Sequence, residues 1–169
     1  MNAPSQDLDQ HRQHCEQLIA AQQTVLLATA STQGVPLNSY APFVRDDKGV
    51  FYVFLSELAE HTRNLMDNPQ ASLFFIRPES ESKNLFARER VSFACHAQRI
   101  GRDSPRFDER MAVMTERFGD TIQLLQSLAD FHLFALTPNR GTYVVGFGQA
   151  FLIDPQSGDF SHIKNPSKG

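Results

Sequence analysis

The sequence predicts an α+β fold that is mainly β: a six-stranded antiparallel β-barrel, closed or split, with flanking helices. Two observations favour this fold class. Short apolar segments follow one another through turns of a few residues, which places successive strands side by side. Helical segments are inserted late in the chain and do not alternate regularly with the strands, which argues against a doubly wound parallel sheet. The 169 residues suffice for one domain with its own core.

One helix and a meander of strands are predicted in the first half of the chain. Asp7–Gln22 carries apolar residues at roughly helical spacing. Three strands separated by short turns follow it: Thr24–Ala30, Pro36–Val44 and Val50–Leu55. A helix is then predicted over Ser56–Asn68, with Ser56 as its N-cap. The helix ends before Pro69, because the residue that precedes a proline avoids the α region.

Two strands and two helices are predicted in the next part of the chain. Gln70–Arg77 is apolar enough for a strand, and a polar loop follows it. Arg88–Ile100 alternates, with Val91, Phe93 and Cys95 on one face and polar residues on the other, as in a half-buried strand. Helical segments cover Pro105–Arg117 and Thr121–Leu128, separated by a glycine.

A β-hairpin is predicted over Asp130–Ile153. Its turn is assigned to Thr137–Gly141, where proline, asparagine and glycine cluster. Gly146 and Gly148 interrupt the second strand and leave one of its faces without side chains. Either a barrel corner or a flat surface for a planar ligand or a partner subunit explains this pair of glycines.

The chain divides into a barrel domain with an N-terminal helix, residues 1–153, and a polar C-terminal tail, residues 154–169. The tail shows no core-building pattern, so its histidine, His162, is not expected in a core. His11 and His14 lie three residues apart on the first helix, but no third ligand is near them in sequence, which favours a solvated face over a metal site.

Composition excludes several classes of function. The net charge is −3, which points to neither nucleic acid nor an anionic membrane surface as a partner. No apolar run reaches the length of a membrane span, and the first residues lack the pattern of a secretion signal. We therefore expect a cytoplasmic protein with reduced thiols at Cys15 and Cys95.

Three segments carry a family resemblance: TVLLATASTQGVPLNSYAPFV, VFYVFLSELAEHTRNLMDNPQASLFFI and ERVSFACHAQRI. In this order they resemble the FMN-binding split barrels related to pyridoxamine 5′-phosphate oxidase, and most closely the haem-utilisation branch of that superfamily, the HugZ/HutZ proteins. The resemblance spans residues 22–151. It implies a split barrel and a homodimer with a small-molecule ligand site at the subunit interface.

The resemblance also implies where this chain departs from the flavin-binding relatives. In those proteins, cations on the second strand and on the helix before Asn-Pro bind the FMN phosphate. The corresponding positions here are Asn38, Phe43 and His61. A phosphate is bound best by charge-assisted hydrogen bonds from arginine or lysine. We therefore predict weak or absent FMN binding.

The haem branch resembles this chain in lacking those cations and in carrying a histidine in a polar C-terminal extension. The resemblance implies that His162 is the axial ligand of haem iron, and a solvated tail histidine is the alternative. The bare strand face expected at Gly146 and Gly148 would be where the planar macrocycle lies. Asp130 would orient that imidazole, since ligating histidines usually donate their second N–H to a carboxylate or carbonyl. Its alternative role is local bonding to the backbone.

Arg90, on the polar face of its strand, would pair with a haem propionate or donate a hydrogen bond to dioxygen. Arg88 is the less favoured neighbour, and an ordinary exposed strand arginine is the alternative to both. His61 and Asn38 are candidates to line the ligand pocket. His96 and His132 are expected to be structural.

Three hypotheses follow. The first is an enzyme that opens the haem ring in an oxygen-dependent reaction with an external electron donor. The second is a haem-binding or storage protein without turnover. The third is an FMN-dependent oxidoreductase of the pyridoxamine 5′-phosphate oxidase type, which would need cations from elsewhere; those available are Arg63, Arg77, Arg88 and Arg90. A split barrel of this kind could also bind F420 or another flavin.

Overall fold

Eight strands and four helices make up the chain in a computed structural model, which describes residues 3–163, with side chains from Asp7 onward. The helices are α1 Ala3–Ala20, α2 Glu60–Asp67, α3 Pro105–Phe118 and α4 Thr121–Gln126. The strands are β1 Thr24–Ala30, β2 Pro36–Arg45, β3 Phe51–Ser56, β4 Gln70–Ile76, β5 Arg90–Ile100, β6 Phe131–Gly146, β7 Gln149–Ile153 and β8 Phe160–His162. Two short 3₁₀ turns, Glu79–Glu81 and Leu85–Ala87, lie in the polar loop before β5.

The strands form one antiparallel sheet that closes on itself. Six strands run in the order β3-β2-β1-β4-β5-β6, and β6 pairs back with β3 to complete a barrel. Strands β7 and β8 extend the sheet beyond β6. The predicted mainly-β class, six-stranded barrel and flanking helices are confirmed, and β8 is an addition that the sequence reasoning did not foresee.

Strand β6 is where the sequence prediction is wrong, because residues 131–146 form one strand and not a hairpin. The predicted turn at Thr137–Gly141 lies inside that strand. Ala94 pairs with Arg140 and Cys95 with Pro138, so Asn139 is the extra residue of a β-bulge. A bulge tolerates a proline within a strand, since its missing N–H is not needed there. The proline, asparagine and glycine that predicted a turn therefore belong to a β-bulge.

Gly141 and Gly148 are glycines for different structural reasons. A Cβ on Gly141 would lie 2.8 Å from the Phe93 ring and 2.9 Å from Cβ of Ile153, so the strands close tightly only because glycine stands there. Gly148 has φ +69 and sits in the turn between β6 and β7. It therefore does not share a strand face with Gly146, and the expected bare strand face is not formed.

Two apolar cores hold the fold together. The first fills the barrel and is closed by Cys15, Leu18 and Ile19 of α1. The second lies outside the barrel, where α3 and α4 cover β3 and the first half of β6. Strand β3 has apolar neighbours on both faces, which explains its uninterrupted run of buried residues from Phe51 to Leu55. The predicted alternation of β5 is confirmed, with Val91, Phe93 and Cys95 buried.

Both cysteines are buried in the barrel core and free. Burial raises the pKa of the Cys15 thiol to about 12, with a further upward contribution from neighbouring Glu16. Burial alone raises the pKa of Cys95 to about 12. Each therefore packs as a small neutral side chain near pH 7.

Helix α2 begins later than predicted. Ser56 is the last residue of β3, still paired with Phe131, and the N-cap of α2 is Ala59, which makes no side-chain capping bond. The hydroxyl of Ser56 is instead donated to the carboxylate of Asp130. Ser56 therefore serves in β3 and in a bond to Asp130, and not as the N-cap of α2.

The predicted polar tail continues the sheet after a turn. Phe160 is buried against Tyr143 and Phe151 and belongs to the barrel core, contrary to the expectation of a tail without core residues.

None of the helices within residues 3–163 is both long and apolar enough to cross a membrane.

Candidate functional site

The residues predicted to form a site fall into two groups at opposite ends of the barrel. At one end, which we call the α2 end, lie Asn38, His61 and Asp130 with the serines beside them. At the other, the β8 end, lie Arg90, Gly146, Gly148 and His162. Each end is described in turn.

His61 stands in the first turn of α2 and faces strand β2. Its Nδ1 lies 2.8 Å from Oγ of Ser39, and that hydroxyl oxygen lies 3.1 Å from the carbonyl oxygen of Leu27 on β1. The ring is half-buried, and burial lowers its pKa. A neutral imidazole held by a hydroxyl offers no positive charge to a phosphate.

Asn38 and Phe43, the two strand positions that correspond to phosphate-binding cations, point in different directions. Asn38 is exposed on the outer face of β2, opposite Ala28 of β1. Phe43 is buried in the barrel, where its ring contacts Phe51 and Phe75. Phe43 is therefore a core residue, and Asn38 alone of the two is on the surface.

Asp130 immediately precedes β6 at the same end of the barrel as α2. Its Oδ2 accepts a hydrogen bond of 2.7 Å from Oγ of Ser56, and its carbonyl oxygen accepts one of 2.8 Å from the backbone N–H of Glu57. The Asp130 side chain is therefore fixed to the end of β3. Nearby, Nε2 of His132 lies 2.5 Å from Glu57 Oε1, which is a structural contact of the kind expected for this histidine.

Arg90 opens β5 at the β8 end, on the outer face of the sheet. Its Nη1 donates to the carbonyl oxygen of Arg88 at 2.8 Å. Arg88 itself is committed to the loop, because it donates to the Arg77 carbonyl oxygen and to Glu79. Of the two arginines, Arg90 has fewer bonds to its surroundings in the described chain.

His162 ends β8 and is exposed. It pairs with Phe151 of β7, and its ring meets the Phe151 ring edge-on at 5.2 Å between centroids. The Phe151 ring also contacts the ring of His11 on α1, at 4.5 Å between centroids. Within residues 3–163 the imidazole of His162 has no hydrogen-bond partner.

The two ends are too far apart to form one site within a single chain. Asp130 lies beside Phe131 at the start of β6, whereas His162 pairs through Phe151 to Tyr143 near the end of β6. At about 3.3 Å per residue, the strand between Phe131 and Tyr143 is on the order of 40 Å long. Asp130 and His162 of the same chain therefore do not meet.

One cavity of the described chain lies away from these residues. A cavity of about 290 Å³ sits under α1, lined by Cys15, Arg45, Phe93 and Phe160 among others, and by none of the predicted site residues. Within residues 3–163 no group of three histidine, cysteine or acidic side chains is arranged to hold a metal ion.

Ser39 and Ser56 are the residues that the sequence reasoning missed. Each forms a hydrogen bond to a predicted site residue that is distant in the chain, Ser39 to His61 and Ser56 to Asp130. A strand serine carries no sequence signal for such a partner. Only the register between β2, α2 and the β3–β6 pair identifies them.

Comparison with known proteins gives a family and two close relatives. A sequence model of the family described as pyridoxamine 5′-phosphate oxidase matches residues 12–145. A Vibrio cholerae protein named heme oxygenase HutZ is 45% identical over 142 residues, which is 83% of this chain and 80% of that protein.

Two solved structures are also similar to this chain. The crystal structure of HutZ, described as the heme storage protein from Vibrio cholerae, superposes with a TM-score of 0.70 at 40% identity and covers 83% of this chain and 95% of that one. The crystal structure of ChuZ from Campylobacter jejuni gives a TM-score of 0.82 at 30% identity, over 95% of this chain and 66% of that one.

Proposed function

The chain belongs to the pyridoxamine 5′-phosphate oxidase family, and from that premise we propose that it binds haem and opens the haem ring in an oxygen-dependent reaction driven by an external reductant. The observation that carries the proposal is the 45% identity to heme oxygenase HutZ over most of both chains. The site residues fit a haem better than a flavin phosphate, because the positions that would hold phosphate carry an exposed amide, a core phenyl ring and an uncharged imidazole.

His162 is the proposed axial ligand of the iron. Its imidazole is exposed on the last strand that the structure describes, and its ring meets the edge of the Phe151 ring. Imidazole is a common proximal ligand of haem iron, and an exposed ring can coordinate without breaking an existing hydrogen bond. Bound haem supplies the iron that reacts with dioxygen, and the protein supplies the axial ligand, the orientation of the ring and its access to solvent.

The site is proposed to be completed by a second copy of the chain. Because His162 and Asp130 of one chain lie at opposite ends of β6, the acid that orients the imidazole would be Asp130 of the partner subunit. Arg90, Gly146 and Gly148 lie at the same end as His162 and would contact the macrocycle or a propionate. His61 and Asn38 would approach from the α2 end.

The outer surface of the barrel supports this assembly. Helices α3 and α4 cover β3, the start of β6 and the Val44 end of β2, whereas Tyr40 of β2 and Leu26 of β1 are exposed on the outer face of the barrel. Tyr40, Leu26 and Phe74 lie in one row across β2, β1 and β4, and the first two are 66% and 49% exposed. An apolar row of this kind favours a protein interface, and the proposed occupant is a homodimer partner.

The proposal is tested by absorption spectroscopy. Addition of haemin to the protein should shift the Soret band with saturable binding, whereas FMN should bind weakly or not at all. His162→Leu should abolish the Soret shift, and His14→Leu, which changes another exposed histidine, should leave it intact. An unchanged haem spectrum in His162→Leu would remove the ligand assignment, and submicromolar FMN affinity would refute the choice of haem over flavin.

Turnover separates the enzyme from a storage protein. Addition of ascorbate in air to the haem complex should bleach the Soret band if the ring is opened. A complex that is reduced but keeps its Soret band would be a haem-binding or storage protein without turnover; one of the related structures is described as a heme storage protein.

A further inference from the structure

The contact between His61 and Ser39 bears on where the imidazole carries its hydrogen. Three polar atoms are neighbours: Nδ1 of His61, Oγ of Ser39 at 2.8 Å, and the carbonyl oxygen of Leu27 at 3.1 Å from that hydroxyl. A carbonyl oxygen only accepts, and a serine hydroxyl has one hydrogen to donate. When Ser39 donates to Leu27, the capacity that remains toward His61 is that of an acceptor.

In that arrangement the ring donates through Nδ1. In a neutral imidazole one nitrogen carries the hydrogen and the other carries the lone pair. With the hydrogen on Nδ1, the lone pair is on Nε2. This nitrogen has no hydrogen-bond partner among residues 3–163 and is not one of the buried polar atoms left unpaired, so it is open to solvent.

The surroundings keep the ring neutral. His61 is half-buried, and burial lowers its pKa. It is the second residue of α2, where the unpaired N–H groups of the first turn disfavour a positive charge. Burial and the position in the first turn of α2 both disfavour the protonated ring, which would offer a second donor at Nε2.

We propose that Ser39 is a positioning residue that holds His61 as a hydrogen-bond acceptor at Nε2, so that this position turns away the anionic end of a ligand. The proposal deepens the choice of haem over FMN and rests on the proposed function only in placing His61 at the ligand groove. A lysine or arginine there would attract phosphate through charge-assisted bonds. The lone pair on Nε2 of a neutral His61 repels a phosphate.

The first test uses the protein without haem. Long-range ¹H–¹⁵N correlation spectra of ¹⁵N-labelled protein at about pH 8, above the ordinary histidine pKa, should show a pyrrole-like Nδ1 and a pyridine-like Nε2 for His61. Ser39→Ala should mix the two tautomers, and Ser39→Thr, which keeps a hydroxyl, should restore the wild-type pattern. A wild-type ring protonated at Nε2, or a Ser39→Ala spectrum identical to wild type, would overturn the proposal.

The second test adds an anion. Inorganic sulfate, which has no hydrogen to donate, should leave the His61 ring signals of the wild type unchanged at millimolar concentration. His61→Lys should raise FMN affinity by about tenfold or more, since it restores a cation. His96→Lys, a control on the exposed face of β5, should not. Sulfate binding at His61 in the wild type, or no gain of FMN affinity in His61→Lys, would contradict it.

The two proposals fail separately. Absence of haem binding would end the proposed function and leave the spectra of His61 as they are. The wrong tautomer would end the role of Ser39 and leave the haem titration unaffected.

Discussion

The α2 end and the β8 end of the barrel hold their polar residues in different ways. At the α2 end, His61 and Asp130 are each hydrogen-bonded to a serine on a barrel strand, and Asn64 of α2 donates to Thr29 inside the core at 3.1 Å. At the β8 end, His162 stands on a three-residue edge strand, and within residues 3–163 its ring contacts the ring of Phe151. The polar residues of the α2 end are held by hydrogen bonds to serines, whereas His162 lies on a strand that is paired on one side in the described chain.

The largest difference expected between the ends is in hydrogen exchange. Strand β8 is paired on one side only in the described chain, whereas β4 is paired on both sides. Local opening spans the range from nearly zero to the global free energy of unfolding. The amide of Ile163, which donates to Ala150, should therefore exchange about 10³-fold faster than the bonded amides of β4. Equal protection at both strands would erase the contrast.

Truncation of the core beneath α2 should give the next largest effect. Leu65 is 4% exposed and packs into the barrel, so Leu65→Ala should lower the free energy of unfolding by about 2–5 kcal/mol. Its neighbour Met66 is 39% exposed, and Met66→Ala should cost less than about 1 kcal/mol. Urea unfolding of both variants measures the difference. Similar losses for the two would mean that α2 is not anchored through Leu65.

The bond between Ser56 and Asp130 should contribute less. A double-mutant cycle with Ser56→Ala and Asp130→Ala should give a coupling energy of about 1 kcal/mol, since this part-buried bond links a hydroxyl to a carboxylate. Asp130→Ala combined with Ser161→Ala, a serine on β8, should be additive. Coupling across the whole barrel would show that the two ends are not independent.

The smallest effect concerns pH. Because burial lowers the pKa of His61 in the folded protein, the unfolded chain takes up the proton first as the pH falls. Stability should therefore decrease as the pH is lowered from about 6.5, the ordinary histidine value, through the lower pKa of the folded state. His61→Gln should flatten this dependence, and His14→Gln should not. A wild-type stability that rises over the same interval would contradict the sign.

The sequence was informative wherever one pattern had one interpretation. The period-two alternation of Val91, Phe93 and Cys95 predicted their burial, and the apolar segment Val50–Leu55 predicted the strand β3. Proline, asparagine and glycine at residues 138–141 were misread, because the same residue types serve a turn and a bulge. The choice between them depends on strand pairing that local sequence does not encode.

The candidate site was predictable only as separate residues. His61, Asp130 and His162 stand out by residue type and by resemblance. Ser39 and Ser56 were identified only through hydrogen bonds to residues that lie 22 and 74 positions away in the chain. Ser56 also shows how a local preference is overridden, since its capping tendency was outweighed by its place in β3 and its bond to Asp130.

The bulge at Asn139 sets the phase of the longest strand. Phe134 and Leu136 point into the barrel at even positions before it, and Tyr143 points inward at an odd position after it. Since side chains alternate with a period of two, deletion of this single residue would invert the second half of β6 and expel Tyr143 to the surface. The strands beyond, down to the one that carries His162, would then lose the register by which they join the barrel.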